Sequence, residues 1–154
     1  MLPVLPVLGR AEARVAELLF HAVAALAAGF GAVCRLLLDG VISAAVARRA
    51  GQGGALPWGT LAVNFSGSLL IGAVAGALVS GGFTGGVPVV DSWPLAAALG
   101  FLGGYTTFST ASYQTVRLLE ERRWALALAN GLGQLVLAVA ATAAGWGLAV
   151  ALLS

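Results

Sequence analysis

The residues able to do chemistry in this chain are few, neutral and grouped. Thr60, Asn64 and Ser68 recur at intervals of four, which places them on one face of any helix that holds them. Thr106, Thr107, Ser109, Thr110 and Ser112 crowd around Phe108, and Asn130 and Gln134 are again four apart. All of these polar groups are hydroxyls and carboxamides with hydrogens to donate and no fixed charge. Such donors suit an anion that must bind and then leave, because a full positive charge would hold it. Each hydroxyl taken alone has a plainer role, bonding a carbonyl of its own helix, and each Asn can simply join helices. Three such tracks on three separate segments favour a shared polar pathway. Catalysis has no machinery: no serine or cysteine has a base and an orienting acid to hand, and no glycine-rich phosphate loop is present. His21 is the single histidine and has no set of metal ligands around it.

The segments that carry these groups are those of a membrane protein. Of 154 residues, 60% are apolar and 9% charged, and the mean hydropathy is +0.97; a soluble domain has about 45–50% and about 25%. A water-soluble enzyme is excluded, and eight arginines against six acids, net +2, are too few and scattered for a nucleic-acid surface. At about 20 residues per span the length holds four. Residues 1–16 read as an N-terminal tail and 17–154 as one transmembrane domain, with spans at about 17–47, 57–80, 93–119 and 124–153. Gly103, Gly104, Tyr105, Thr106 and Thr107 have poor helix propensity and predict a third helix broken at its centre. Such a break frees backbone groups and is tolerated only where protein or a water-filled site satisfies them. Gly72 with Gly76, and Gly100 with Gly104, have the four-residue spacing of close helix contact. Trp58, Trp93 and Trp124 fall near span ends, as interfacial anchors do. Arg35 and Asp39 are one turn apart, so an i,i+4 bridge within the first span is expected, and Cys34 reads as a small buried hydrophobe.

Three blocks resemble the small four-span fluoride channels of the Fluc or CrcB family. The first is Gly31-Ala32-Val33-Cys34-Arg35, similar to Gly-Ala-x-x-Arg. The second, Gly59-Thr60-Leu61-Ala62-Val63-Asn64-Phe65-Ser66-Gly67, is similar to Gly-Thr-Leu-x-Val-Asn-x-x-Gly. The third runs from Gly100 to Thr110 and resembles Gly-Phe-x-Gly-Gly-x-Thr-Thr-Phe-Ser-Thr. The resemblance implies an all-α antiparallel dimer with two pores, each built from both subunits, that exports fluoride passively across the cell membrane and relieves its toxicity. By position, Asn64 and Phe108 line the pathway, Ser109, Thr110 and Ser112 form a polar track, and Thr60 lies near it. Arg35, Asn130 and Gln134 are assigned to helix packing or a vestibule. The backbone carbonyls of Gly103 and Thr106 hold a structural sodium ion at the dimer axis. A phenyl edge is the positive end of the ring quadrupole, so Phe108 can face a small anion without a permanent charge. The chain departs from the family where a second phenylalanine is common, with Ala111; where a glutamate is usual, with Gln114; and on the last span, where Asn130 and Gln134 stand instead of Tyr and Ser.

Two other readings compete. A small four-span proton-coupled multidrug antiporter needs a carboxylate within the membrane, and Asp39 is the one candidate. A non-transporting membrane assembly subunit needs small-residue packing but neither polar tracks nor a break. The expected assembly is an antiparallel homodimer, with a paralogous partner subunit as the alternative.

Overall fold

The structure, a computed structural model, describes residues 9–50, 56–81 and 92–153; the expected loop at 51–55, most of the turn at 81–88 and the first eight residues lie outside them. The described residues form five α-helices: α1 (Arg10–Ala50), α2 (Trp58–Ser80), α3 (Trp93–Tyr105), α4 (Phe108–Glu120) and α5 (Trp124–Leu153). Among these residues there is no strand. Three helices are long and apolar enough to cross a membrane, over Arg14–Arg49, Trp58–Ser80 and Trp124–Leu153. α3 and α4 have 13 residues each, about 20 Å at 1.5 Å per residue, and neither spans a hydrocarbon core of about 30 Å alone.

α1 starts earlier than expected. Residues 10–16, read from sequence as tail, are helical. Gly9 precedes the first turn, and its N–H donates to the Glu12 carboxylate at 3.1 Å while its carbonyl accepts from Glu12 N–H at 2.9 Å. That is half of a capping box, with an acid in the first turn where the helix dipole favours it. α4 ends in a tight reversal. Arg122 adopts φ 59°, and the N–H groups of Arg123 and Arg122 donate to Leu118 and Leu119 carbonyls at 2.8 and 2.9 Å, a Schellman closure. Arg117 and Arg123 both pair with Glu121, at 3.1 and 3.7 Å.

The helices pack in two principal pairs, α2 with α5 and α1 with α3. Glycine makes both possible. A Cβ at Gly72 or Gly76 would run into the backbone of Thr142 or Trp146 on α5, and one at Gly145 into Leu69 on α2. A Cβ at Gly100 or Gly104 would strike the carbonyls of Ala24 or Ala28 on α1. The four-residue glycine pairs seen in the sequence are therefore contact points, with backbone against backbone. We expect Gly104→Val to lower the unfolding temperature of the purified protein sharply, because the Ala28 backbone cannot yield; overpacking of this kind costs about 1–3 kcal/mol. Gly133→Ala meets nothing within 4 Å and should melt like the wild type.

Aromatic rings tie the α1–α3 pair to α2. Phe101 lies 5.9 Å from Phe30 and stacks on Tyr105 at 5.7 Å, centroid to centroid. The Tyr105 hydroxyl in turn shares a 2.9 Å hydrogen bond with Ser66 on α2. The end of α3 is thereby fixed on two helices just where the chain leaves helical geometry.

Candidate functional site

Between α3 and α4 lie two extended residues, Thr106 (φ −81°, ψ 159°) and Thr107 (φ −150°, ψ 121°). Thr106 N–H still bonds the Leu102 carbonyl at 3.0 Å, whereas both backbone groups of Thr107 are met by a side chain. Asn64 on α2 pairs with the whole Thr107 residue: its Oδ1 accepts from Thr107 N–H at 2.8 Å and its Nδ2 donates to the Thr107 carbonyl at 2.9 Å. The second Nδ2 hydrogen goes to Gln134 Oε1 on α5, at 3.1 Å. Thr107 caps α4, its Oγ1 accepting from Thr110 N–H at 3.2 Å. In a continuous helix Thr107 N–H would bond the Gly103 carbonyl and Thr110 N–H the Thr106 carbonyl. Both amides are used elsewhere, so both carbonyls lack their helical partners.

A groove of about 570 Å³ opens beside this junction, between α2, α4 and α5. Asn64 and Ser68 line it from α2, Ser112 and Thr115 from α4 and Gln134 from α5, with Phe108 at its edge. Its remaining lining is mostly apolar, including Ala111. Phe108 is 87% exposed, a large apolar ring that the described residues leave uncovered.

The residues singled out from sequence divide here. Asn64, Phe108, Ser112, Thr106 and Gln134 come together at the groove, whereas Ser109 and Thr110 do not line it. Ser109 is exposed. Thr60 is buried away from the groove in a chain of bonds that joins three helices: its hydroxyl donates to Asp39 at 3.3 Å and accepts from Gln114 Nε2 at 2.8 Å. Asn130 is fully buried and fastens α5 to α4, donating to the Ala111 carbonyl at 3.2 Å and to Thr115 at 2.8 Å. The expected Arg35–Asp39 bridge does not form. Asp39 instead serves Thr60 across the helix pair, and Arg35 Nε is buried without a hydrogen-bond partner.

Sequence reading passed over Thr115 and gave Thr107 no role of its own. Thr115 continues the i, i+4, i+7 face begun by Phe108 and Ser112, a spacing that would have found it. Thr107 precedes a helical run as a threonine in N-cap position, a signal equally open to reading.

The groove is set in a chain whose residues 22–146 match the family model of CrcB-like proteins, Camphor Resistance (CrcB). The chain belongs to the CrcB family. Among its relatives is the fluoride-specific ion channel FluC 1 of Leifsonia xyli subsp. xyli, 45% identical over 130 residues that cover 82% of this chain and 86% of that one. FluC 1 of Thermobifida fusca is 41% identical over 129 residues, 79% of this chain and 92% of its own. FluC 2 of Mycolicibacterium paratuberculosis is 43% identical over 125, covering 81% and 89%. CrcB proteins of this kind are ion channels, not enzymes.

Proposed function

We propose that this protein is a fluoride channel of the cell membrane that lets cytoplasmic fluoride leave passively. The observation that carries the reading is the groove itself: neutral donors converge on it from three helices, beside a helix junction, in a chain whose relatives bear fluoride-channel names. Among the described residues Ser68 and Ser112 have no hydrogen-bond partner, and their hydroxyls line the groove an ion would enter. A halide crossing such a groove trades water for donors that do not trap it.

In this reading α3 and α4 are two halves of one span, giving four spans in all, and Asn64 supplies the partners that a break at membrane depth requires. The pore is completed by a second subunit in antiparallel orientation. The exposed Phe108 and Ser109 support that arrangement, since a ring left bare on the single chain gains cover from a partner. Ser109, Thr110 and Ser112 then belong to the track along this joint surface. The relatives' numbering as FluC 1 and FluC 2 keeps an unlike partner in view beside the homodimer.

A structural sodium ion fits the junction. Gly103 and Thr106 offer two carbonyl oxygens released from helical bonding, and hard cations take oxygen ligands of this type. Gly103 is exposed, with nothing within 4 Å of where a Cβ would stand, so its surface is open to a subunit partner. The ion would neutralise the carbonyl dipoles there and fix the two halves.

Purified protein in vesicles loaded with potassium fluoride, opened with a potassium ionophore, should release fluoride as read by an ion electrode and retain chloride under the same conditions. Silent vesicles containing verified dimer would remove the channel assignment.

A further inference from the structure

Thr60 is a hydroxyl with one hydrogen to give, held between groups on two other helices. It is 2% exposed. Asp39 reaches it from α1 because Gly59 leaves room: a Cβ at Gly59 would run into the Asp39 carboxylate. A carboxylate can only accept, so Thr60 donates its hydrogen to Asp39 Oδ1, at 3.3 Å. The Thr60 oxygen is left to accept, and the Gln114 carboxamide on α4 turns Nε2 toward it, at 2.8 Å. Gln114 Oε1 is thereby turned away, and it is buried with no hydrogen-bond partner. Arg35 Nε, one turn before Asp39, also lacks a partner, so the acid of α1 serves Thr60 and not the local cation.

The count of hydrogens admits one carboxylate in this chain. With an acid on each side Thr60 could serve only one of them, and the other would be buried without its donor. With a carboxamide on each side the bonds still close, but their direction is no longer set and the charge-assisted one is lost. Gln114 stands where the resemblance expects a glutamate, and this chain has its acid on the far side of Thr60 instead. The two positions are alternatives for one charge. Thr60 lies one turn before Asn64 on α2, and Gln114 lies between Ser112 and Thr115 on α4, so the Thr60–Gln114 bond braces the two walls that carry those groove residues.

We infer that Asp39 is a positioning residue: the Asp39–Thr60–Gln114 chain requires one carboxylate, on either side of Thr60, and through it the acid of α1 seats α4 against α2 beside the groove. Asp39 itself does not line the groove. Its effect on flux rests on the fluoride reading, whereas its effect on the seating of α4 does not.

The test is to move the acid. Asp39→Asn removes it, Gln114→Glu adds a second, and the two together carry it from α1 to α4. In the double variant the carboxamide at 39 donates to Thr60 and Thr60 donates to the acid at 114, the same bonds run in reverse. Vesicle efflux and unfolding temperature are measured for each. Gln114→Glu alone should lose about tenfold or more in flux and melt well below the wild type, because one acid is left without a donor. Asp39→Asn alone should fall in both by less, since only a charge-assisted bond is weakened. The double variant should melt above Gln114→Glu and recover most of its flux, and adding Thr60→Val should abolish that recovery. Losses in the double variant equal to the two single losses combined would overturn the inference, since independent sites add. So would wild-type flux and stability in either single variant, or a recovery that persists with Thr60→Val. If Gln114→Glu yields no folded dimer, the double variant should restore one, and its failure to do so overturns the inference equally. A wild type that passes no fluoride sinks the channel reading instead, and the unfolding temperatures still decide the role of Asp39.

Discussion

Asn64→Ala should cut fluoride flux by at least about tenfold and also lower the unfolding temperature, because it strips the side-chain partner from both the N–H and the C=O of Thr107. Each unpaired buried group costs about 1–3 kcal/mol, and every 1.36 kcal/mol placed on a barrier is a decade in rate. The junction at Thr107 would then reseat, moving the α4 N-terminus and the groove it forms. Phe108→Ile makes a contrast. The ring is 87% exposed in the single chain and bonds to nothing that holds the junction, so its replacement by another apolar side chain should lower the unfolding temperature less than Asn64→Ala does, while flux falls through the missing polarised edge. Vesicle efflux and thermal unfolding measured on the same preparations separate the two. An Asn64→Ala variant with wild-type flux and stability would mean that the Asn64–Thr107 pairing does not hold the junction, and wild-type flux in Phe108→Ile would take the ring off the pathway.

How far a sequence can be read depends on whether an interaction is local. The close helix contacts were legible because glycine at four-residue spacing has one strong meaning in a membrane, and Gly72, Gly76, Gly100 and Gly104 do meet backbone. The run Gly103–Thr107 is a series of poor helix formers, and α3 ends and α4 begins within three residues of one another there. Partner choice was not legible. Asn64 read as a free donor because its spacing on α2 says nothing of Thr107, forty-three positions away. The Arg35–Asp39 pair failed for the same reason: a local i,i+4 partner was visible, whereas Thr60 on the next helix was a better-placed one that only packing brings within reach. The start of α1 was missed because a mixed-charge segment resembles a tail unless the Gly9–Glu12 cap is recognised.

Orientation follows from which ends of the helices lie together. The bonds from Asp39 to Thr60 and from Thr60 to Gln114 put the C-terminal part of α1, the start of α2 and the C-terminal part of α4 at one end of the bundle. Arg48, Arg49, Arg117, Arg122 and Arg123 therefore share that end, while Arg10 and Arg14 belong to the start of α1 at the other. By arginine count alone the five-residue end belongs in the cytoplasm. An antiparallel homodimer requires both insertions from the same sequence, hence a bias small enough to be overridden. Ala111 presses toward an unlike partner as well, since it lines the groove where the family commonly has a second ring. Yet the excess of three arginines is modest, and the polar residues that line the groove, Asn64, Ser68, Ser112 and Gln134, are all supplied by this one chain, so two copies already carry two full sets. We expect the homodimer. With Cys34 replaced and a cysteine added at the C-terminus, a membrane-impermeant maleimide applied to intact cells should label about half of the protein, and the rest should react only after the membrane is opened, as dual insertion requires. Labelling confined to one side, together with no fluoride flux from the protein reconstituted alone, would exclude a functional homodimer and assign the second half of each pore to a different, oppositely inserted subunit.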